Sequence, residues 1–183
     1  MLLLLWLRPK PFVITAVGKL GPPGTMPAKL REPIEMMPSE LLIPVEGVTA
    51  AELVDDFNET RDGHRHEAID IPAPRGTPVL AAAQGSVVKL FQSEAGGLTV
   101  YQFDDSERLC FYYAHLDHYV NGLSEGALLR RGQVVGYVGA TGNASPNAPH
   151  LHFAVFQLGP EKHWWQGRAI DPYPLLTGRI ARH

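Results

Sequence analysis

Between Thr77 and Phe156 the chain is cut into short apolar segments by closely spaced turn residues, and this interval pattern limits the fold more than any other feature. PVLAAA and SVVKLF flank Gln84-Gly85, LTVYQF follows Gly96-Gly97, and LCFYYAHL follows Asp104-Asp105-Ser106. QVVGYVG follows Arg131-Gly132, and HLHFAVF follows a loop closed by Pro149. These segments are rich in the β-branched and aromatic residues that suit a pleated, half-buried surface. A parallel sheet needs crossovers of about ten or more residues, for which such short intervals leave no room. The expected fold class is therefore mainly β, an antiparallel β-sheet domain. The presence of 18 Gly and 16 Pro agrees with many turns and few long helices.

A length of 183 residues suits one good-sized domain with a short extension. Residues 1–45 carry Pro9, Pro11, Pro22, Pro23, Pro27, Pro33 and Pro38 without periodicity and read as an extended N-terminal arm, with the domain at 46–183. LLIPVEG, from Leu41, is a possible strand, and TAAELVDDF is a short amphipathic stretch with Thr49 placed to cap a helical turn. The apolar run Leu2–Leu7 stops at Arg8-Pro9-Lys10-Pro11, too soon to span a bilayer, and lacks the basic segment that precedes a secretory apolar stretch. It is equally compatible with a remnant of an export or anchor segment and with an incorrectly chosen start. A net charge of -3 with only 16 Lys and Arg gives no basic footprint, which argues against nucleic acid as a partner. The single cysteine, Cys110, excludes an intrachain disulfide and a cysteine-built zinc cluster, and its apolar neighbours mark it as a small buried hydrophobe.

Metal-type side chains concentrate in three places: His66-Glu67-Ala68-Ile69-Asp70, Tyr113-Ala114-His115-Leu116 and His150-Leu151-His152-Phe153. Isolated histidines are usually structural or solvent-facing, and His64, His118, His163 and His183 are left unassigned. On a strand, His150 and His152 project from one face while Leu151, Phe153 and Val155 fill the other. His66-Glu67 is not the start of a helical zincin motif, because the second histidine is missing and Pro72 and Pro74 follow at once. If extended, the chain would separate the Cα atoms of His66 and Asp70 by about 13 Å, so the backbone must bend between them for both to hold one ion. Donors of the types His, Asp and His meet the rule for catalytic zinc, three protein ligands and one open position, and two histidines remain for proton transfer.

The ordered set of His66 with Asp70, Tyr113-Ala114-His115-Leu116, Gly139-Ala140-Thr141-Gly142 and His150-Leu151-His152-Phe153 resembles the lysostaphin-type, or LytM-domain, zinc metallopeptidases that cut peptide bonds in bacterial peptidoglycan. The resemblance runs from about Leu42 to Leu176 and includes IDIPAPRGTPVLAAAQGSVV, RRGQVVGYVGATGNA and Asp171-Pro172-Tyr173-Pro174. It implies a curved antiparallel sheet with an open groove, the lysostaphin-like architecture. It also implies one zinc ion per chain on His66, Asp70 and His152, with His115 and His150 as catalytic histidines. Two positions depart from the family pattern. Ala68 stands where glycine is common, which denies the bend that residue's freedom, and Ala154 stands where glutamate often follows HLHF.

The implied chemistry is hydrolysis of peptide crosslinks by water that zinc acidifies to a pKa near ~7. One of His115 and His150 serves as acid and base and the other stabilises the oxyanion, in either assignment. Glu67 is the rival base, and a solvated carboxylate is the preferred reading for it. Degenerate LytM-type domains that have lost ligands activate cell-wall amidases, and this binding function is the alternative. All five positions are filled here, which favours the enzyme. The expected partner is the peptidoglycan crosslink, the expected location the cell envelope, either periplasm or cell surface, and the expected state a monomer. Whether glycine bridges or D-Ala to meso-diaminopimelate bonds are cut is left open by the sequence.

Overall fold

The structure, a computed structural model, describes residues 41–61 and 63–178. The run Leu2–Leu7, most of the arm and His183 lie outside the described residues. Eleven strands and one short helix are found among those described: β1 Thr60–Arg61, β2 His64–Arg65, β3 Ile69–Pro72, β4 Pro78–Leu80, β5 Gly85–Ser93, β6 Gly97–Asp104, β7 Leu109–Tyr119, β8 Leu128–Leu129, β9 Val134–Val138, β10 His150–Leu158, β11 Gly167–Ile170 and α1 Pro172–Thr177. Strands β1 and β2 pair as a small ribbon. The rest form one antiparallel sheet in the order β11-β10-β7-β6-β5-β8, with β3 added to β10 and β9 bridging β7 and β4. The mainly antiparallel β expectation is what the chain adopts.

The six sequence segments fall on β4, β5, β6, β7, β9 and β10. LLIPVEG forms only an isolated bridge, Val45 to Val79, and TAAELVDDF makes turns without a helix. In that second segment the Glu52 carboxylate accepts from the Thr49 amide and hydroxyl at 2.8 and 2.7 Å, closing a turn that Leu53 then leaves. Leu41 and Val45 are buried in the domain, and the Leu41 amide donates to the Leu175 carbonyl at 3.1 Å, so packing extends to residues N-terminal of 46. No helix among the described residues is long and apolar enough to cross a membrane.

Strand β10 organises the sheet. Its one edge pairs with β7, and its other edge pairs first with β3 and then with β11. Leu151, Phe153 and Val155 turn into the core, where Phe153 sits across from Tyr113 and Val155 across from Phe111, all fully buried. Each such side chain stabilises by about 1.5–3 kcal/mol on burial. Tyr113 brings a hydroxyl into this core and satisfies it, donating to Gln102 Oε1 at 2.7 Å and accepting from the Ala82 amide at 2.9 Å. Cys110 is buried, as expected, and burial pushes its thiol well above the ordinary range.

Candidate active site

The opposite face of β10 carries His150 and His152, and the register puts His152 directly across from Asp70 on β3. Neighbouring strands therefore deliver two donors to one point without any special backbone. His66 arrives differently. Its following residue, Glu67, adopts φ 53, the left-handed region, and folds His66 back over Asp70. Two backbone hydrogen bonds hold this bend, His66 N to Glu59 O at 2.8 Å and Glu67 N to Phe57 O at 3.0 Å. The bend expected between His66 and Asp70 thus exists, but Glu67 makes it, and Ala68 simply packs in the core.

His115 needs a second irregularity. Tyr113 faces the core, so strict alternation would send His115 the same way. A register shift between β6 and β7 at this point, with His115 itself at φ 60, re-aims the ring into the groove. The Gly139-Ala140-Thr141-Gly142 loop then fixes it: the Thr141 carbonyl accepts from His115 Nδ1 at 2.8 Å, leaving Nε2 free as an acceptor. Thr141 Oγ1 donates to the Leu116 carbonyl at 2.8 Å and accepts from the Leu98 amide at 3.0 Å. Gly142 permits this approach, since a Cβ there would lie 2.3 Å from the Gly97 nitrogen.

At the centre, His66 Nε2 lies 3.1 Å from Asp70 Oδ1 and 3.1 Å from His152 Nδ1, and His152 Nδ1 lies 3.0 Å from Asp70 Oδ1. Zinc bonds of 2.0–2.1 Å in a tetrahedron imply ligand separations of about 3.3 Å, so this triangle of one carboxylate and two imidazole atoms fits a zinc-sized cation. His115 and His150 stand beside it, their rings 4.9 Å apart, with His115 5.6 Å from His152 and His150 Nε2 3.7 Å from Asp70 Oδ1. The Ala148 carbonyl accepts from His150 Nδ1 at 2.9 Å. All five sequence-derived residues line one open cavity of about 370 Å³, together with Arg61, Tyr112 and Asn143. Glu67 does not line it. Ala154 is buried, directly across from Tyr112 in the sheet register.

Charge distribution in the site follows from burial and these contacts. Burial works to raise the Asp70 carboxyl, but hydrogen bonds from His152, His66 and Arg61 outweigh it and hold the group well below the usual carboxylate range. Burial lowers His66, yet Asp56 and Asp70 together raise it to about 9, so this corner attracts positive charge. Burial and the neighbouring His152 lower His115 to about 4, which keeps it neutral at physiological pH. His152 is lowered as well, mainly by burial. Neutral His115 can take a proton from water; the carboxylate with its two imidazoles can hold a cation.

Two contributors were not anticipated from sequence. Asp56 and Arg61 lie against His66 and Asp70, Asp56 near the end of the amphipathic stretch TAAELVDDF and Arg61 on β1, and only their charge set them apart. Of the unassigned histidines, His118 stacks on Tyr137 and His163 on Trp165, both outside the cavity, and His64 lies exposed on β2.

A sheet groove in which three donors could hold a cation, with two further histidines against it, is the arrangement to set beside known proteins. Residues 64–172 match Peptidase family M23, and the chain belongs to that family. It is 32% identical over 116 residues to the L-Ala--D-Glu endopeptidase of Bacillus subtilis, an alignment covering 61% of this chain and 34% of that protein. The chain thus spans about a third of the length of this curated relative. The catalytic domain of lysostaphin from Staphylococcus simulans superimposes with a TM-score of 0.53 at 30% identity, over 62% of this chain and 80% of that one. LytU gives 0.56 at 29% identity, over 67% and 82%.

Proposed function

We propose that this protein is a zinc-dependent endopeptidase that hydrolyses peptide crosslinks of bacterial peptidoglycan in the cell envelope, at the periplasmic side or the cell surface. The convergence of His66 Nε2, Asp70 Oδ1 and His152 Nδ1 at 3.0–3.1 Å, with the two other histidines across the same cavity, carries the reading. The peptidoglycan substrate is inferred from relatives named for endopeptidase activity. A bound zinc ion supplies Lewis acidity to the scissile carbonyl and to the attacking water. His115, neutral and with Nε2 open to the groove, accepts the water proton and returns it to the leaving amine. His150, its Nδ1 committed to the Ala148 carbonyl, turns Nε2 toward the same groove and stabilises the developing oxyanion. Asp70 is held ionised by Arg61 on Oδ2, a contact that the cation seat leaves undisturbed. The open cavity leaves room for an extended peptide strand.

The test is muropeptide release from purified peptidoglycan, followed by mass spectrometry. A strong chelator is expected to abolish release and added zinc to restore it, with about one zinc per chain in the active sample. Full activity of metal-free protein would overturn the reading. Sacculi with glycine bridges and sacculi with direct crosslinks, digested in parallel, identify the bond.

A further inference from the structure

We infer that Asp56 and Arg61 form a clamp that orients two of the three cation donors, His66 through its Nδ1 edge and Asp70 through Oδ2. The inference rests on the zinc reading above and assigns positioning roles to residues outside the donor set. Asp56 is buried at 6% exposure and is not among the residues that line the groove. The Asp56 carbonyl accepts from His66 Nδ1 at 3.3 Å, and Asp56 Oδ2 lies 3.5 Å from the same nitrogen. A proton held on Nδ1 leaves the Nε2 lone pair facing Asp70 and His152, which is the tautomer a metal requires.

Arg61 completes the arrangement from β1. Its Nη1 donates to Asp70 Oδ2, the oxygen that the donor triangle does not use, so the carboxylate is turned with Oδ1 toward the two imidazoles. Nη2 donates to Asp56 Oδ2 at 3.0 Å and to Glu59 Oε2 at 3.1 Å, tying the guanidinium to the same carboxylate that faces His66. A planar fork suits this task, since it meets the three carboxylates of Asp70, Asp56 and Glu59 at fixed angles where an ammonium cannot. Asp56 Oδ1 is meanwhile buried without a hydrogen-bond partner among the described residues. An acceptor left unmet in this way is costly, and a purely structural position would be served as well by a neutral or apolar residue. Arg61 Nη1 also sits 3.1 Å from His66 Nε2, at the rim of the cation seat, which makes its net effect on a dication a matter of orientation against repulsion.

The experiment uses the full chain stripped of metal and titrated with zinc against a chromophoric chelator, with cobalt absorption as a report on donor geometry. Asp56→Asn keeps the backbone carbonyl on His66 Nδ1 but removes the carboxylate charge beside it and the ion pair with Arg61, and is expected to weaken zinc binding by about tenfold, the lower end of the range for disturbing an outer partner of a ligating histidine. Arg61→Lys, which keeps the charge and loses the fork, is expected to weaken it by about tenfold and to shift the cobalt bands. Arg75→Gln, in an exposed ion pair with Asp117, serves as the unchanged control. Circular dichroism and the unfolding midpoint of each metal-free variant separate misfolding from lost orientation, and should Asp56→Asn unfold, Arg61→Lys decides alone. Parental affinity in both folded variants would overturn the clamp while leaving the zinc reading intact. Tighter zinc binding by Arg61→Met than by the parent would show that the guanidinium repels more than it positions. A parent that binds no zinc would overturn both.

Discussion

Strand β10 and the two segments facing it fill the same groove by opposite means. His150 and His152 reach it through plain alternation, with Leu151 and Phe153 packed behind them. His66 and His115 reach it through left-handed backbone, at Glu67 with φ 53 and at His115 itself with φ 60. A non-glycine residue in that region costs roughly 1–2 kcal/mol, and the cost is tolerated where surrounding contacts over-determine the conformation. Here those contacts are backbone hydrogen bonds from His66 and Glu67 to Glu59 and Phe57, and the Thr141 carbonyl on His115. Regular secondary structure supplies one wall of the site, and stored strain supplies the other.

The widest expected effect comes from the bulged wall. Replacing His115 by Ala removes the neutral ring and leaves His66, Asp70 and His152 in place, so zinc content should hold while turnover falls by roughly 10²-fold or more. Parallel metal analysis and initial rates check this; zinc lost together with activity would move His115 into the donor set. A proton competition sharpens the same contrast. His66, raised to about 9, is protonated at neutral pH in the metal-free protein, and zinc must displace that proton. Apparent zinc affinity should therefore rise about tenfold per pH unit between pH 7 and 8, measured against a chelator with its own protonation corrected. A flat response would contradict the hold of Asp56 and Asp70 on His66.

Stability carries the same signature. His66 binds its proton more tightly folded than unfolded, so its contribution is present below the unfolded pKa of about 6.5 and is lost as pH rises toward 9. His115 has the opposite sign: depressed to about 4, it contributes above about 6.5 and loses that contribution as pH falls toward 4. Metal-free protein should thus be most stable near neutrality, and His115→Ala should flatten the acid limb in denaturant titrations. The smallest effect concerns the bend. Glu67→Gly should leave stability unchanged or raise it by up to about 1 kcal/mol, because relief of the left-handed strain is partly offset by chain entropy. Glu67→Val should cost about 1–2 kcal/mol. A destabilising glycine would show that Glu67 contributes more than its backbone shape.

Much of the regular wall was legible in the sequence because its period is two. HLHFAVF declares which residues face inward, and the short turn intervals declare an antiparallel sheet. The need for a bend between His66 and Asp70 was legible from chain length, but its location was not. Ala68 invited attention as a missing glycine, whereas Glu67 took the left-handed conformation because Phe57 and Glu59 hold its neighbourhood. The role of the Gly139-Ala140-Thr141-Gly142 loop was equally hidden, since it depends on a carbonyl that every residue possesses and on close approach to Gly97. Asp56 and Arg61 escaped notice for a related reason: tertiary contact brings them against His66 and Asp70, and no local spacing announces that.

The most direct test of the central claim compares two histidines one residue apart on the regular wall. His152→Ala removes one of three donors, so zinc occupancy should fall sharply and hydrolysis with it. His150→Ala keeps all three donors, so zinc should stay near stoichiometric while the rate of peptidoglycan hydrolysis drops by roughly 10²-fold or more. Zinc content and rate are to be measured on the same purified samples of both variants. Zinc retained without His152 and lost without His150 would contradict the division of the groove into a cation seat and a proton-handling pair.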